Sequence, residues 1–338
     1  MTADRLPTEE SHDGPSPNGG LSRRDFLVRS ALVAGTASIA GRTPAVLASQ
    51  PSQPPPEQLP DVVQVRSNEV VTLRGLHEGV LLDMLNLLLR QLTNRPPADA
   101  WRTILHPDDV IGLKFNSSGA DGLGTTDSLM RVLVQSLTDA GFAPERMIAV
   151  EVSAAIRAET RTLAPIEGWN ERVLDFGSGT DQLAAWLDRV TAIINVPFLK
   201  THNIAGMTAC LKNLSHALVK HPAQFHANAC SPYIGDIVAL PAIRSKLRLH
   251  LVNALRVVFD GGPSAVEECI WDAGVLLGGK DPVALDCVGL QLIDRVRMAL
   301  NLPPISGPEG PPAYLAAAAD RGLGTDRLHV IRVHKAEI

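Results

Sequence analysis

The chain has 338 residues, 45% of them hydrophobic and 20% charged, with a formal net charge of −5. This composition is globular rather than disordered, and the length supports one large core or two small ones. The acidic balance excludes broad nucleic-acid binding, which needs a basic surface, and an aromatic content of 4% leaves no base-stacking platform.

A polar start leads into Ser22-Arg23-Arg24-Asp25-Phe26-Leu27, which resembles the twin-arginine export motif. A moderately apolar segment runs from Phe26 to Ala40, and Val46-Leu47-Ala48 offers small residues for a cut. This is the anatomy of a removable signal. Residues 1–48 are therefore expected to be a signal peptide, the export machinery a partner, and the mature protein periplasmic. An uncleaved anchor is the alternative. The apolar core of about 15 residues is short for a membrane helix, which needs about 20, and no stable span is expected in the mature chain. Residues 49–60 are proline-rich and read as a stiff spacer before an α/β domain at 61–338.

Asp61 to Arg66 alternates and is β-branched, a strand. His77 to Leu92 carries leucines at helical spacing. Val110 to Phe115 is a strand, Thr126 to Ala140 a helix stopped by Gly141, and Met147 to Val152 a strand. Residues 153–180 fit no period. Asp181 to Asp188 reads as a short helix, Val190 to Val196 as a strand, and Ile204 to Lys220 as a helix with Ala205, Cys210, Leu211, Leu214 and Leu218 inward. A helix is expected at Ile234 to Ile243, and separate strands at Leu247 to Leu251, Val257 to Phe259 and Val275 to Gly278. Asp281 as N-cap with Pro282 next to it starts a further helix. A last helix covers Pro312 to Arg321 and a last strand Leu328 to Val333. Strands alternating with helices across short links predict an α/β fold, a mainly parallel sheet with helices on both faces, in a single large domain with room for a sub-domain.

Polar residues recur just past the carboxyl ends of these strands: Lys114 and Asn116, Lys200 and His202, Asp260, and Lys280 with Asp281. In an open parallel sheet such loops share one rim, where ligand crevices form. Lys114, Asn116, Lys200, Lys212, Asn213 and Asp260 are the expected substrate-binding groups. Two ammonium groups attract phosphate or carboxylate, and an imidazole moves protons near neutral pH, so Lys200 and His202 are the catalytic candidates. A small anionic ligand is the expected partner. An enzyme or enzyme-like protein is the first reading; a non-catalytic periplasmic binding or accessory protein is the second. A third uses His216, His221 and His226, with Cys210 or Cys230, to hold a metal, although spacings of five turn each histidine by about 140° on a helix. The chain has no GxxxxGK[ST] loop, no GxGxxG after a strand, and no CxxC or HExxH pair, so no cofactor is assigned. Cys210, Cys230, Cys269 and Cys287 are either two disulfides or isolated thiols.

These residues resemble a known family. Lys114-Phe115-Asn116 after a strand, the run from Asn195 through Pro197 to Lys200-Thr201-His202, Lys212-Asn213, Asp260-Gly261-Gly262-Pro263, and Asp281 to Asp286 are together similar to the domain of unknown function 362. The resemblance runs from Val110 to about Val333. It implies a shared domain without an assigned reaction. Some relatives join this domain to a ferredoxin-like module with a CxxCxxCxxxCP run; this sequence lacks that run, so no iron–sulfur cluster is carried over. The family's usual Lys-Pro-Asn is replaced here by Lys114-Phe115-Asn116.

Overall fold

A computed structural model describes residues 61–338. The expected signal and linker lie outside the described residues.

Strands β1 (Asp61–Arg66), β2 (Val71–Thr72) and β3 (Gly75–Leu76) lead into helix α1 (Glu78–Thr93). Its leucines recur every three or four residues, so Leu81, Met84, Leu85, Leu88 and Leu89 fall on one buried face. His77 caps its start by accepting from the Val80 N–H, and Asn94 ends it in the left-handed region. Next come α2 (Pro97–Ile104), which the sequence reading passed over, β4 (Ile111–Lys114), α3 (Ala120–Leu123), α4 (Thr126–Asp139), β5 (Met147–Val150) and α5 (Ala154–Thr160). A separate hairpin joins β6 (Trp169–Asp175) to β7 (Thr180–Ala184). The chain then makes β8 (Ala192–Asn195), β9 (Phe198–His202), β10 (Gly206–Thr208) and the one-turn helix α6 (Cys210–Asn213). Helices α7 (Tyr233–Ala239) and α8 (Pro241–Arg244) precede the long strands β11 (Leu247–Val258) and β12 (Ile270–Gly279). Helices α9 (Pro282–Ala299) and α10 (Ala313–Asp320) and strand β13 (Arg332–Glu337) complete the described chain.

The main sheet has nine strands in the order β13-β1-β12-β11-β8-β4-β5, with β9 paired on β11 and β10 on β9. Strands β5, β4, β8, β11 and β9 run parallel, while β12 runs against both β11 and β1. Alternation along each strand sorts the core into two layers. Val62, Ile193 and Leu277 pack with Leu211, Ile234, Leu285 and Tyr314. Their neighbours Val63, Ile194 and Leu276 face the other way, onto Leu81, Trp101 and Leu133. The fold is thus the expected α/β domain, mainly parallel, with helices on both faces. No helix among the described residues is long and apolar enough to cross a membrane.

Several elements differ from the sequence reading. The expected helix at Asp181 to Asp188 is strand β7 followed by a 3-10 turn at Ala185–Asp188. The expected helix from Ile204 to Lys220 is β10 plus the single turn of α6. Its apolar residues are buried as expected, but Gly206 at φ 79° turns the chain back on β9, and Ala217 at φ 59° cannot continue a helix. Leu240 is extended because it precedes Pro241, which divides the expected Ile234 to Ile243 helix into α7 and α8. The two strands expected at Leu247 and Val257 are one. Asn253, the apparent break, is buried inside it and donates to Thr125 Oγ1 at 2.9 Å. The Val275 to Gly278 strand extends back to Ile270, and the last strand begins only at Arg332.

Candidate functional site

The parallel strands bring the carboxyl ends of β4, β5, β8, β9 and β11 to one edge of the sheet. Strand β12 does not contribute its carboxyl end, because it runs in the opposite direction. Gly279 pairs with His250 near the start of β11, while Ile270 pairs with Val258 at its end. Lys280 and Asp281 therefore lie away from the rim. Asp281 instead caps α9, accepting from the Ala284 N–H at 2.8 Å, and also binds the Thr325 N–H.

Lys114 ends β4 fully buried. Its three Nζ hydrogens have three acceptors: Glu151 Oε2 at 2.5 Å, Phe115 O at 2.7 Å and Asn213 Oδ1 at 3.1 Å. Burial pulls its pKa down, and the Glu151 carboxylate offsets part of that pull. Glu151 follows β5 and sits at φ 60°, a conformation that costs a non-glycine residue about 1 kcal/mol or more. Its Oε1 accepts from Ser117 Oγ at 2.7 Å and pairs with His216 Nδ1 at 2.9 Å. Burial pushes the Glu151 carboxyl up, but the Lys114 ammonium and the His216 ring outweigh it and hold the group well below the usual carboxylate range.

Asn213 locks this edge together. Its Oδ1 accepts from Lys114 and from Asn116 Nδ2 at 3.0 Å; its Nδ2 donates to Asn195 Oδ1 at 2.8 Å and to Lys114 O at 3.3 Å. Asn195 Nδ2 in turn reaches Cys210 O and His250 Nδ1, each at 3.0 Å. Asn213 has no hydrogen-bonding capacity left for a ligand, and Asn116 spends its Oδ1 on the Ser118 N–H at 2.9 Å. Both hold the framework. Helix α6 is fixed from behind by Asp286 of α9, whose carboxylate accepts from the N–H groups of Cys210 at 2.6 Å and Leu211 at 3.2 Å. Burial pushes the Asp286 carboxyl up to about 7, against the pull of those two N–H groups.

His250 carries a pH dependence. Its ring is buried, and burial pulls its pKa from 6.5 to about 3. The folded ring stays neutral where the unfolded ring takes a proton, so the unfolded state binds more protons between these values. Stability is full above about pH 6.5 and falls as the pH drops toward 3. The urea midpoint is expected to lose the equivalent of about 2 kcal/mol between pH 7 and pH 4.5, and His250→Asn to flatten that slope. An equal slope in both proteins would contradict the assignment.

Lys200 ends its reach on backbone, donating to Ser118 O and to Pro263 O at 3.1 Å. It thereby clips the loop after β4 to the loop after β11. Burial lowers its pKa to about 8, and Lys212 and Lys114 add to the effect. The second loop approaches β9 so closely that a Cβ on Gly262 would lie 2.0 Å from Thr201 O, so only glycine fits. Asp260 does not join the cluster. It is half exposed and pairs with Arg297 Nη1 at 2.7 Å, tying its loop to α9.

Lys212, on α6, is 6% exposed, and among the described residues its Nζ has no hydrogen-bond or ion-pair partner. Burial lowers its pKa, and Lys114 lowers it further. Glu151 is the one carboxylate that acts on Lys114, Lys200 and Lys212 alike. The cluster therefore carries excess positive charge. His202 lies beside it. Its Nδ1 accepts from the N–H groups of Ile204 and Ala205, both at 3.2 Å, which puts the ring proton on Nε2. Burial, then Lys212, pull its pKa down to about 4. The His202 ring stacks on His226 with centroids 5.6 Å apart.

The three later histidines take three different partners: His216 takes Glu151, His221 takes Asp181 at 2.9 Å, and His226 takes Pro222 O at 3.0 Å. Among the described residues no group of three or more His, Cys, Asp or Glu is placed to hold a metal. All four cysteines are free thiols, and Cys210, Cys230 and Cys287 are buried. Sequence reasoning missed Glu151, Ser117, Asn195, His250 and Asp286. Glu151 was discoverable, because it follows the MIAV strand at the same edge where Lys114 ends its own.

The family model described as "Domain of unknown function (DUF362)" matches residues 179–291, about a third of the chain. The matched span holds the Asn195 to His202 run, Lys212-Asn213, the Asp260 to Pro263 loop and the Asp281 to Asp286 segment; Lys114-Phe115-Asn116 lies before it. No curated protein matches the chain. The match supports the similarity to that family drawn from those same segments.

Proposed function

We propose that this chain is an exported, enzyme-like protein that binds a small anionic molecule at the strand ends, with Lys200 and Lys212 as its cations. The observation that carries this reading is Lys212: a lysine only 6% exposed whose ammonium group has no partner among the described residues, beside two further lysines and one carboxylate. A buried charge that lacks a partner is costly, and an anionic ligand supplies one. His202 bears its ring hydrogen on Nε2, a neutral donor suited to an anionic oxygen. Its expected role as acid or base narrows to donation, since Nδ1 is occupied by backbone.

Thermal unfolding and native mass spectrometry in the presence of inorganic phosphate, sulfate and citrate test this. At least one anion is expected to raise Tm, and His202→Ala to weaken that rise by about tenfold in anion concentration, the worth of one charge-assisted hydrogen bond. No shift with any of the three would sink the reading. Export rests on the Ser22 to Leu27 motif. Replacing Arg23 and Arg24 together with Lys is expected to leave the full-length chain in the cytoplasmic fraction, and unchanged fractionation would refute it.

A further inference from the structure

His202 cannot take a proton at Nδ1, which already accepts two backbone N–H groups, or at Nε2, which bears the ring proton. His226 directs Nδ1 at the Pro222 carbonyl, and among the described residues no carboxylate pairs with it. His216 differs from both. Its Nδ1 faces Glu151 Oε1 at 2.9 Å, and that carboxylate is held further by Lys114 at Oε2 and by Ser117 at Oε1. A carboxylate accepts only, so His216 Nδ1 bears the hydrogen and Nε2 keeps its lone pair. The exposures are 9% for Glu151 and 49% for His216. The orienting group is buried and the ring opens to solvent. Lys114 contacts Glu151, the Glu151 charge also acts on Lys200 and Lys212, and His226 lies within electrostatic reach of His216.

We infer that His216, oriented by Glu151, is the general base of this site and removes a proton from a water or hydroxyl oxygen at an anionic small molecule held by Lys200 and Lys212. This rests on the anion-binding reading above. In the step, the Nε2 lone pair forms the new N–H bond and the O–H bond breaks. Its electron pair stays on the oxygen, which becomes the nucleophile. The resulting imidazolium faces the Glu151 carboxylate, which stabilises it. Glu151 acts through His216 and is a positioning residue.

The test uses the full chain and inorganic phosphate as the probe. Imidazole ¹⁵N shifts are expected to show the Nδ1–H tautomer for His216 and the Nε2–H tautomer for His202. Diethyl pyrocarbonate is expected to modify His216 at Nε2, read by peptide mass spectrometry, and phosphate at ten times its Kd to slow that modification about tenfold. In Glu151→Gln the same ¹⁵N shifts are expected to show His216 losing its preference for the Nδ1–H tautomer, because the amide no longer fixes which nitrogen bears the hydrogen. An Nε2–H tautomer at His216 overturns the inference without any variant. Phosphate that raises Tm but leaves His216 equally reactive places the dyad outside the anion site and overturns the inference alone. Phosphate that does not bind overturns the anion reading, and the inference with it.

Discussion

Lys114→Ala is expected to lower stability by about 3–5 kcal/mol at pH 7, the largest loss for any single substitution at this edge. The side chain is fully buried, and its ammonium group satisfies the Glu151 carboxylate, the Phe115 carbonyl and the Asn213 amide oxygen together. Removing it leaves Glu151, itself 9% exposed, as an unpaired charge against His216 and Ser117 alone. The cost is the desolvation of that carboxylate, more than the loss of the pair. Lys114→Met combined with Glu151→Gln removes both charges, and this double variant is expected to recover part of the loss, with a coupling of about 1–3 kcal/mol. Urea midpoints of the wild type, Lys114→Met, Glu151→Gln and the double variant supply the cycle. A loss below about 1 kcal/mol for Lys114→Ala would mean that water reaches Glu151, and the buried pair would not be what holds this edge.

Two physical rules made most of this molecule legible in the sequence, and each failed where context overrode it. Apolar periodicity placed α1, α4 and α9, because their faces are sorted by burial against one sheet. It failed from Ile204 to Lys220, where the same residues are buried but Gly206 folds the chain into a strand pair and Asp286 takes the N–H groups of Cys210 and Leu211. Position at strand ends found Lys114, Lys200 and His202, since parallel strands share an edge. The same rule misplaced Lys280 and Asp281, because strand direction is set by pairing partners and not by the strand's own sequence. Asp260 sits at the right edge but is turned to Arg297, a partner 37 residues away. Composition drew attention to His216 as a metal ligand; its actual partner, Glu151, lies 65 residues earlier, and the two meet through the pairing of β5 and β8 on either side of β4 and the Asn213 contact that holds α6 at that edge. Asn195, His250 and Asp286 are polar residues inside apolar runs. Their burial is visible in the pattern, but their partners are not.

Lys212→Met is expected to abolish anion binding while leaving the protein as stable as before or more stable, by about 1 kcal/mol. The two effects have one cause. Lys212 is buried on α6 with no partner for its ammonium among the described residues, and burial together with Lys114 already disfavours its charge. Methionine keeps the length and the apolar stem and discards the uncompensated charge. A lysine that served only the fold would behave as Lys114 does, with stability lost on removal. Opposite signs at two buried lysines linked by the same carboxylate therefore separate framework from binding. Removing Lys212 also relieves Lys200 and His202, both of which it pulls down, so both are expected to titrate higher in the variant. Denaturation midpoints and phosphate titrations of the two variants, run side by side at pH 7, read the contrast directly. A Lys212→Met protein that unfolds as readily as Lys114→Ala would make Lys212 a structural residue and leave the cluster without its binding cation.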